Sequence, residues 1–167
     1  EYVHSNTPRH IVAIQRVDDG PSVCFAVDHP SHQYVIENEV VTHNTDCLLV
    51  SFLRGVGKGW GPAWRGICFK RTVPEIGPLF EKAKAIYQAN CPNIKYTQHP
   101  YAKFVWPTGE MLTLRHMLEP DDYNDLHGSE FQWIGWEEIT THSTPEVYLR
   151  CMSLLRSSHP EASKWMQ

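Results

Sequence analysis

The sequence predicts an all-β opening followed by a part in which helices and strands alternate. Before residue 44, short β-branched and aromatic runs are separated by turn signals, and after it strand patterns alternate with helical ones. Charge changes at the same point. Residues 1–44 hold 2 of the 15 basic and 6 of the 19 acidic residues, which leaves 13 of each for residues 45–167, together with all 6 tryptophans. A composition shift of this kind favours two units that meet near residue 44.

The composition is that of a globular chain. The 167 residues are 41% hydrophobic and 20% charged, which fits one ordinary domain, or a small piece joined to a partial domain. The 5 cysteines are odd in number and contain no C-x-x-C pair, so neither a disulfide framework nor a zinc cage is predicted. There is no apolar run long enough to span a bilayer and no leader pattern, so we expect a soluble, intracellular protein and no membrane partner. The first residue is Glu1, which suggests a cut chain.

The net charge of −4 gives no basic excess, so any contact with nucleic acid is expected to be local. Short strands are predicted in the opening over residues 9–17, 22–28, 33–36 and 39–42, with turns at 19–21, 29–31 and 37–38.

The second part has a richer pattern. Helices are predicted at 45–56, 74–90 and 144–157, a Gly/Pro loop at 57–64, strands at 65–71 and 131–136, and a hairpin over 103–117 that turns at 107–109. The helix at 74–90 has Pro74 and Glu75 at its start, and the last helix is expected to open with a Thr144 cap and Pro145.

The tripeptide His43-Asn44-Thr45 carries a specific chemistry. An asparagine amide can attack its own backbone carbonyl and cut the bond that comes after it. A histidine just before can protonate the scissile amide, and a hydroxyl just after can accept an acyl chain. The alternative is an ordinary turn tripeptide, but the β-branched strand before it and the composition shift after it favour the reactive interpretation.

Residues 9–44 resemble the C-terminal segment of an intein, which has the Hint fold. The resemblance rests on VCFAV (23–27), HQYV (32–35) and VVTHN (40–44) followed by Thr45. It implies that His32 assists Asn44 activation or transfer. Cys24 stands where most such inteins have Asp. In one class of inteins a cysteine there attacks the upstream junction, together with a threonine before the terminal His-Asn, as Thr42 is here. A buried core cysteine is the equally weighted alternative.

The residues after the junction, TDCLLVSFL (45–53), look like the segment that begins just after the lysine of a phosphate-binding loop G-x-x-x-x-G-K-[ST]. In such a loop the Thr45 hydroxyl would hold Mg²⁺, and the N-terminus of the helix would hold the phosphates. The glycines and the lysine are not in this chain. A second run, GVGKGW (55–60), is rejected as a phosphate loop because Gly59 stands where Ser or Thr is required.

The segment FQWIGWEEITT (131–141) predicts the other half of a nucleotide site, an apolar strand that ends in two adjacent carboxylates. Glu137 can hold Mg²⁺ through water, and Glu138 can orient or deprotonate the attacking water. Adjacent glutamates alone are more often a solvated surface pair. The apolar strand before them favours the catalytic interpretation.

Together these segments resemble the packaging ATPase of tailed-phage terminase large subunits over nearly all of residues 45–160. The resemblance is carried also by CFKRTVPEIGPL (68–79), FVWPTGEMLTLRHM (104–117), DLHGSEFQWIGWEEIT (125–140) and YLRCMSLLRSSHP (148–160). It implies a partial α/β P-loop NTPase of the ASCE type with a largely parallel sheet, without most of the phosphate loop and without the nuclease domain. Glu137 departs from the aspartate of many relatives.

The sequence is therefore interpreted as a C-terminal intein segment (1–44) joined to a partial terminase ATPase domain (45–167). Splicing would need no cofactor but would need an N-terminal partner, and the joined product would use ATP and Mg²⁺. Its implied partners are double-stranded DNA, the portal and the small terminase subunit, in the host cytoplasm. The alternative is an inactive remnant or simple binding module with neither activity.

Overall fold

The computed structural model describes residues 34–36, 40–42, 44–142 and 144–164. The strands are β1 (Tyr34–Ile36), β2 (Val40–Thr42), β3 (Arg65–Lys70), β4 (Lys95–Thr97), β5 (Ala102–Val105), β6 (Met111–His116) and β7 (Trp133–Trp136). The α-helices are α1 (Asn44–Phe52), α2 (Val73–Asn90), α3 (Glu146–Cys151) and α4 (Pro160–Ser163). Short 3-10 helices lie at Leu53–Gly55, Gly61–Ala63, Pro120–Leu126, Ile139–Thr141 and Met152–Leu154.

The described strands form two sheets. β1 and β2 pair antiparallel, with Val35 opposite Val41. The other five strands lie in the order β4-β5-β6-β3-β7. In this sheet β3 is parallel to both β6 and β7, whereas β5 is antiparallel to β4 and to β6.

This mixed arrangement overturns the fold class expected from the sequence, an all-β Hint-fold fragment followed by a largely parallel ASCE-type sheet. Helix α1 begins at Asn44, inside the segment expected to be all-β. The larger sheet has as many antiparallel as parallel pairings, because the chain reverses in a tight turn at Gly109 (φ 103°) and because β4 adds a further antiparallel edge strand. The strand predictions for residues 9–28 lie outside the described residues.

Most elements predicted after residue 44 are confirmed, namely α1, β3, α2, the β5–β6 hairpin, β7 and α3. The predicted Thr144 cap is wrong. Helix α3 starts one residue later, with Pro145 at its cap position and the Pro145 carbonyl accepting the Leu149 N–H at 2.9 Å. The sequence gives no sign of strand β4, because its three residues are all exposed and carry no hydrophobic alternation.

Central strand β3 supplies both faces of the core. Cys68 lies in a cluster with side chains of α1 and α2, while Ile67 and Phe69 lie in a second cluster beneath α3. Successive side chains of a strand point to opposite faces, so β3 is covered on both sides. The sheet is thus sandwiched between α1 and α2 on one face and α3 on the other.

Phe52 fastens the end of α1 to the sheet. Its side chain is fully buried, and its ring centroid lies 5.3 Å from that of Trp106 and 5.6 Å from that of Trp133. The ring is tightly packed against β3, because a Cβ added at Gly66 would lie 2.5 Å from the Phe52 ring. The position of α1 therefore depends on this aromatic contact.

We predict that Phe52→Ala lowers the free energy of unfolding by about 3–5 kcal/mol, since it removes buried area and leaves a cavity among the indole rings of Trp64, Trp106 and Trp133. Leu149→Ala, at a side chain 62% exposed, is the control and should change it by less than about 0.5 kcal/mol. Urea unfolding followed by tryptophan fluorescence measures both variants. Equal losses in the two would contradict the assignment of Phe52 to the core.

Candidate active site

The carboxyl ends of β3 and β7 meet at one edge of the sheet. The two strands are parallel, and Phe69 lies opposite Trp136, so the next residues along, Lys70 and Glu137, are level with one another. The Glu137 backbone N–H donates to the Phe69 carbonyl at 2.9 Å and continues the pairing by one residue. Side chains from both strand ends are therefore presented at the same edge.

The first turn of α1 reaches this edge because three contacts hold the helix. The Tyr87 hydroxyl of α2 donates to the Leu49 carbonyl at 2.9 Å, and the Trp133 indole N–H of β7 donates to the Ser51 hydroxyl at 3.1 Å. Closer to the edge, Lys82 of α2 pairs with Asp46 at 2.9 Å.

Thr45 and Glu137 make the central contact of the site. The Thr45 hydroxyl donates to Glu137 Oε1 at 2.5 Å, across 92 residues of sequence. Glu137 is only 8% exposed, which is unusual for a carboxylate and calls for a polar partner. A hydroxyl and a carboxylate side by side are oxygen ligands of the kind Mg²⁺ prefers, with water completing its octahedron. The donor set at this position fits that ion.

Glu138 has a different environment from its neighbour. Its side chain is 55% exposed, and its Oε2 accepts from Lys70 Nζ at 2.8 Å, while the Lys70 side chain is 13% exposed. Its backbone is left-handed (φ 54°, ψ 45°), and among the described residues it alone has a positive φ without being glycine. Left-handed backbone costs a side-chain-bearing residue about 1–2 kcal/mol, and such strain concentrates at functional sites.

The strained turn is held by its own backbone. The Glu138 carbonyl accepts from both the Thr141 N–H, at 2.9 Å, and the Thr141 hydroxyl, at 2.8 Å. The turn sends the two adjacent carboxylates in different directions, one toward Thr45 and one toward Lys70.

These groups line a cleft of about 250 Å³ between the sheet edge and the start of α2. Three of its lining residues are acidic (Glu75, Glu137, Glu138) and two are basic (Lys70, Lys82). Glu75 accepts from the Thr72 hydroxyl at 2.5 Å and from the Thr72 N–H at 2.8 Å, which lowers the pKa of its carboxyl. Glu75 thus serves mainly to cap α2.

Of the residues predicted from the sequence, the structure brings together Thr45, Glu137 and Glu138. Thr42 ends β2 and Asn44 begins α1. Cys24, His32 and His43 lie outside the described residues.

Sequence reasoning missed Lys70 and Lys82. Lys70 could have been found, because it ends an apolar strand and the end of a parallel strand is where site residues collect. Lys82 could not, because nothing in the sequence distinguishes this half-buried lysine from the other lysines of α2.

The run GVGKGW lies at the opposite end of the sheet from the carboxylates. It precedes the first residue of β3, and the Gly57 N–H donates to Glu110 Oε1 at 3.0 Å, just before β6 begins. Gly57 and Gly59 both have positive φ, which suits a turn. A position at the opposite end of the sheet from the carboxylates agrees with the prediction that GVGKGW is not the phosphate loop.

Within the described part of the chain, no group of three or more His, Cys, Asp and Glu side chains could hold a metal ion. The Thr45–Glu137 pair is a different kind of candidate, in which a hydroxyl is one ligand. None of the helices in the same part is long and apolar enough to cross a membrane.

Comparison with known proteins adds no relative. No family model, curated protein or solved structure matches the chain.

We predict that Glu138→Gly is more stable than Glu138→Ala by about 1 kcal/mol, because both lose the Lys70 contact and only glycine relieves the left-handed backbone. At an ordinary helical position the order is reversed, so Lys84→Gly and Lys84→Ala in α2 are the matched pair, with glycine about 1 kcal/mol worse. Urea unfolding gives the four values. The same order at both positions would contradict a strained Glu138.

Proposed function

We propose that residues 45–167 carry the acidic half of a Mg-ATP hydrolysis site, and that splicing after Asn44 joins this half to an upstream phosphate loop. The observation that carries the proposal is the 2.5 Å hydrogen bond between Thr45 and Glu137. The two residues were selected separately from the sequence, one as the hydroxyl after a missing G-x-x-x-x-G-K and one as the carboxylate that ends an apolar strand. Their contact places two oxygen groups close enough to act on one metal ion, which supports a shared site.

In the joined product, bound Mg²⁺ would neutralise charge on the β- and γ-phosphates. Thr45 and Glu137 are the residues that would hold it. Helix α1 begins at this edge of the sheet, and the positive end of a helix dipole favours a phosphate. Glu138, which is exposed beside the cleft, would accept a proton from the attacking water as ATP and water become ADP and phosphate.

The splicing half of the proposal is carried by the residues at the junction. The Asn44 amide would attack its own carbonyl and release the upstream segment as a succinimide, with His43 donating to the leaving amide. Cys24 would attack the carbonyl of the upstream junction, breaking that peptide bond and holding the upstream chain as a thioester, and transfer to the Thr45 hydroxyl would return the free thiol. After Asn44 cuts the bond before Thr45, the freed Thr45 amine would take the acyl group from its own hydroxyl and form the new peptide bond. His32 and Thr42 would assist these steps. A thioester is a better acyl donor to an alcohol than an amide is, which gives Cys24 a chemical purpose.

The resemblance to terminase large subunits supplies the biological context of the proposal, ATP-driven packaging of double-stranded DNA with the portal and small subunit, in the host cytoplasm of a phage infection. An upstream or separate reading frame that ends in G-x-x-x-x-G-K at an intein junction would support it directly.

We predict that the unjoined chain does not hydrolyse ATP, because Thr45 and Glu137 lack a loop to hold the phosphates. The ligated product should hydrolyse it, and Glu138→Gln there should lower kcat about 10²–10⁴-fold while nucleotide binding persists. Phosphate release measures turnover. Glu81→Gln, an exposed glutamate of α2 outside the cleft, is the control and should leave kcat unchanged.

ATP hydrolysis by the unjoined chain that Glu138→Gln abolishes would show that the site is already complete and would overturn the phosphate-loop interpretation. Equal loss in Glu81→Gln and Glu138→Gln would overturn the role of Glu138.

We predict that Asn44→Ala blocks release of residues 1–44 when the N-terminal partner is added, because it removes the internal nucleophile. Asn38→Ala, at an asparagine next to Glu39, should not block it. Intact mass of the mixture identifies every product.

Cys24→Ala separates the two junctions. Upstream cleavage and ligation should fail while cleavage after Asn44 persists. Ligation by Cys24→Ala at the wild-type rate would make Cys24 a core residue, and release by Asn44→Ala at the wild-type rate would remove the intein interpretation altogether.

A further inference from the structure

The peptide bond that splicing would break, between Asn44 and Thr45, lies within helix α1. Hydrogen bonds from Tyr87 and Trp133 fix this helix to α2 and β7. The acyl acceptor Thr45 is therefore held by the downstream part of the chain while residues 1–44 are still attached.

A threonine hydroxyl is a weak nucleophile. Its attack on a thioester carbonyl requires a base that takes the hydroxyl proton as the new carbon–oxygen bond forms. The Thr45 hydroxyl donates to Glu137 Oε1 at 2.5 Å, which is close enough for direct proton transfer. Carboxylates take hydroxyl protons in this way in phosphoryl transfer, so the chemistry is within the reach of a glutamate.

The surroundings of Glu137 direct its carboxylate to Thr45. Glu137 is 8% exposed, and within the described residues the Thr45 hydroxyl is the one donor to its carboxylate. Thr72 also donates to a carboxylate at 2.5 Å, but there one oxygen of Glu75 accepts both the hydroxyl and the N–H of Thr72, which lowers the pKa of the Glu75 carboxyl. Each further donor weakens a carboxylate as a base. Glu137 is thus the better placed of the two to take a proton.

We propose that Glu137 is a catalytic residue of the splicing reaction, as the general base for Thr45. Its carboxylate takes the hydroxyl proton, Thr45 Oγ1 bonds to the thioester carbonyl carbon, and the carbon–sulfur bond breaks. The thiolate that leaves recovers the proton from Glu137 through water, so the products are an ester on Thr45 and a free thiol. This inference rests on the splicing proposed for the junction, and it means that the downstream part has to fold before it can be joined.

Acyl transfer to Thr45 can be measured on the 167-residue chain alone, in metal-free buffer with phenyl thioacetate as the donor. Each transfer forms an acetyl ester on Thr45 and releases thiophenol. Neutral hydroxylamine then removes acetyl groups from thiols, and peptide mapping by mass spectrometry gives the rate at each threonine. Glu137→Gln should slow acetylation of Thr45 about 10²-fold. Glutamine can still accept the Thr45 hydrogen bond but cannot serve as the base, so a role in positioning alone would leave the rate unchanged.

Glu138→Gln is the matched control, because Glu138 lines the same cleft and contacts Lys70 instead of Thr45. It should leave acetylation of Thr45 unchanged. Thr97, which is exposed and donates to a backbone carbonyl, is the reference hydroxyl within the wild-type chain. Thr45 should react about tenfold faster than Thr97, although it is less exposed. Thr72 should react no faster than Thr97.

An unchanged Thr45 rate in Glu137→Gln, or an equal loss in Glu138→Gln, would overturn the proposal. So would a Thr45 rate no higher than that of Thr97 or Thr72 in the wild-type chain. This last comparison needs no variant, so it decides the matter even where Glu137→Gln fails to fold. Failure of the proposed splicing would appear elsewhere, as absence of ligation when the N-terminal partner is added, and would leave acyl transfer to Thr45 as measured.

Discussion

The parallel pairing of β7 with β3 is the constraint on which the site depends. It sets Glu137 level with Lys70, and the indole of Trp133 in the same strand packs on Phe52 and donates to Ser51, both in α1. One strand therefore determines where the carboxylates lie and also where the first turn of α1 lies. A shift of one residue in its register would reverse the face of every side chain, turning Trp133 away from α1 and separating Glu137 from Thr45.

Two adjacent glutamates acquire different properties from the turn at the end of this strand. In a continuing strand the two side chains would lie on opposite faces of the sheet, whereas the left-handed backbone of Glu138 ends the strand in a turn and both carboxylates line the same cleft. One carboxylate is then 8% exposed against a hydroxyl, and the other is more than half exposed against an ammonium. Metal binding requires a desolvated, hydrogen-bonded carboxylate, and proton transfer requires one that water can reach. The left-handed turn thus brings two carboxylates with different environments into one cleft.

The sequence was informative where local patterns decide structure. Apolar runs predicted β3, α2, β7 and the β5–β6 hairpin, and Thr45 and Glu137, which are in contact, were each predicted from a short motif. It failed where pairing between distant strands decides structure. Nothing local in β5 and β6 indicates that the hairpin joins the sheet through the β6 edge beside β3, which makes the sheet mixed rather than largely parallel. Strand β4 gave no signal because its residues are exposed on an edge.

Lys70 shows a related limit. A lysine after an apolar strand is visible in the sequence, but its partner lies at the end of a different strand, 68 residues later, and only their parallel alignment brings the two together. The same holds for Thr45, whose partner is 92 residues away.

Under the proposed splicing reaction, Thr45 is constrained twice, once as the hydroxyl that receives the upstream chain and once as a metal ligand beside Glu137. A thiol would serve the first reaction well and the second poorly, since Mg²⁺ prefers oxygen, whereas a side chain without a hydroxyl or thiol would serve neither. A hydroxyl is the group compatible with both, which explains why a comparatively weak nucleophile stands at the junction and why a cysteine that preactivates the acyl chain would be of use upstream.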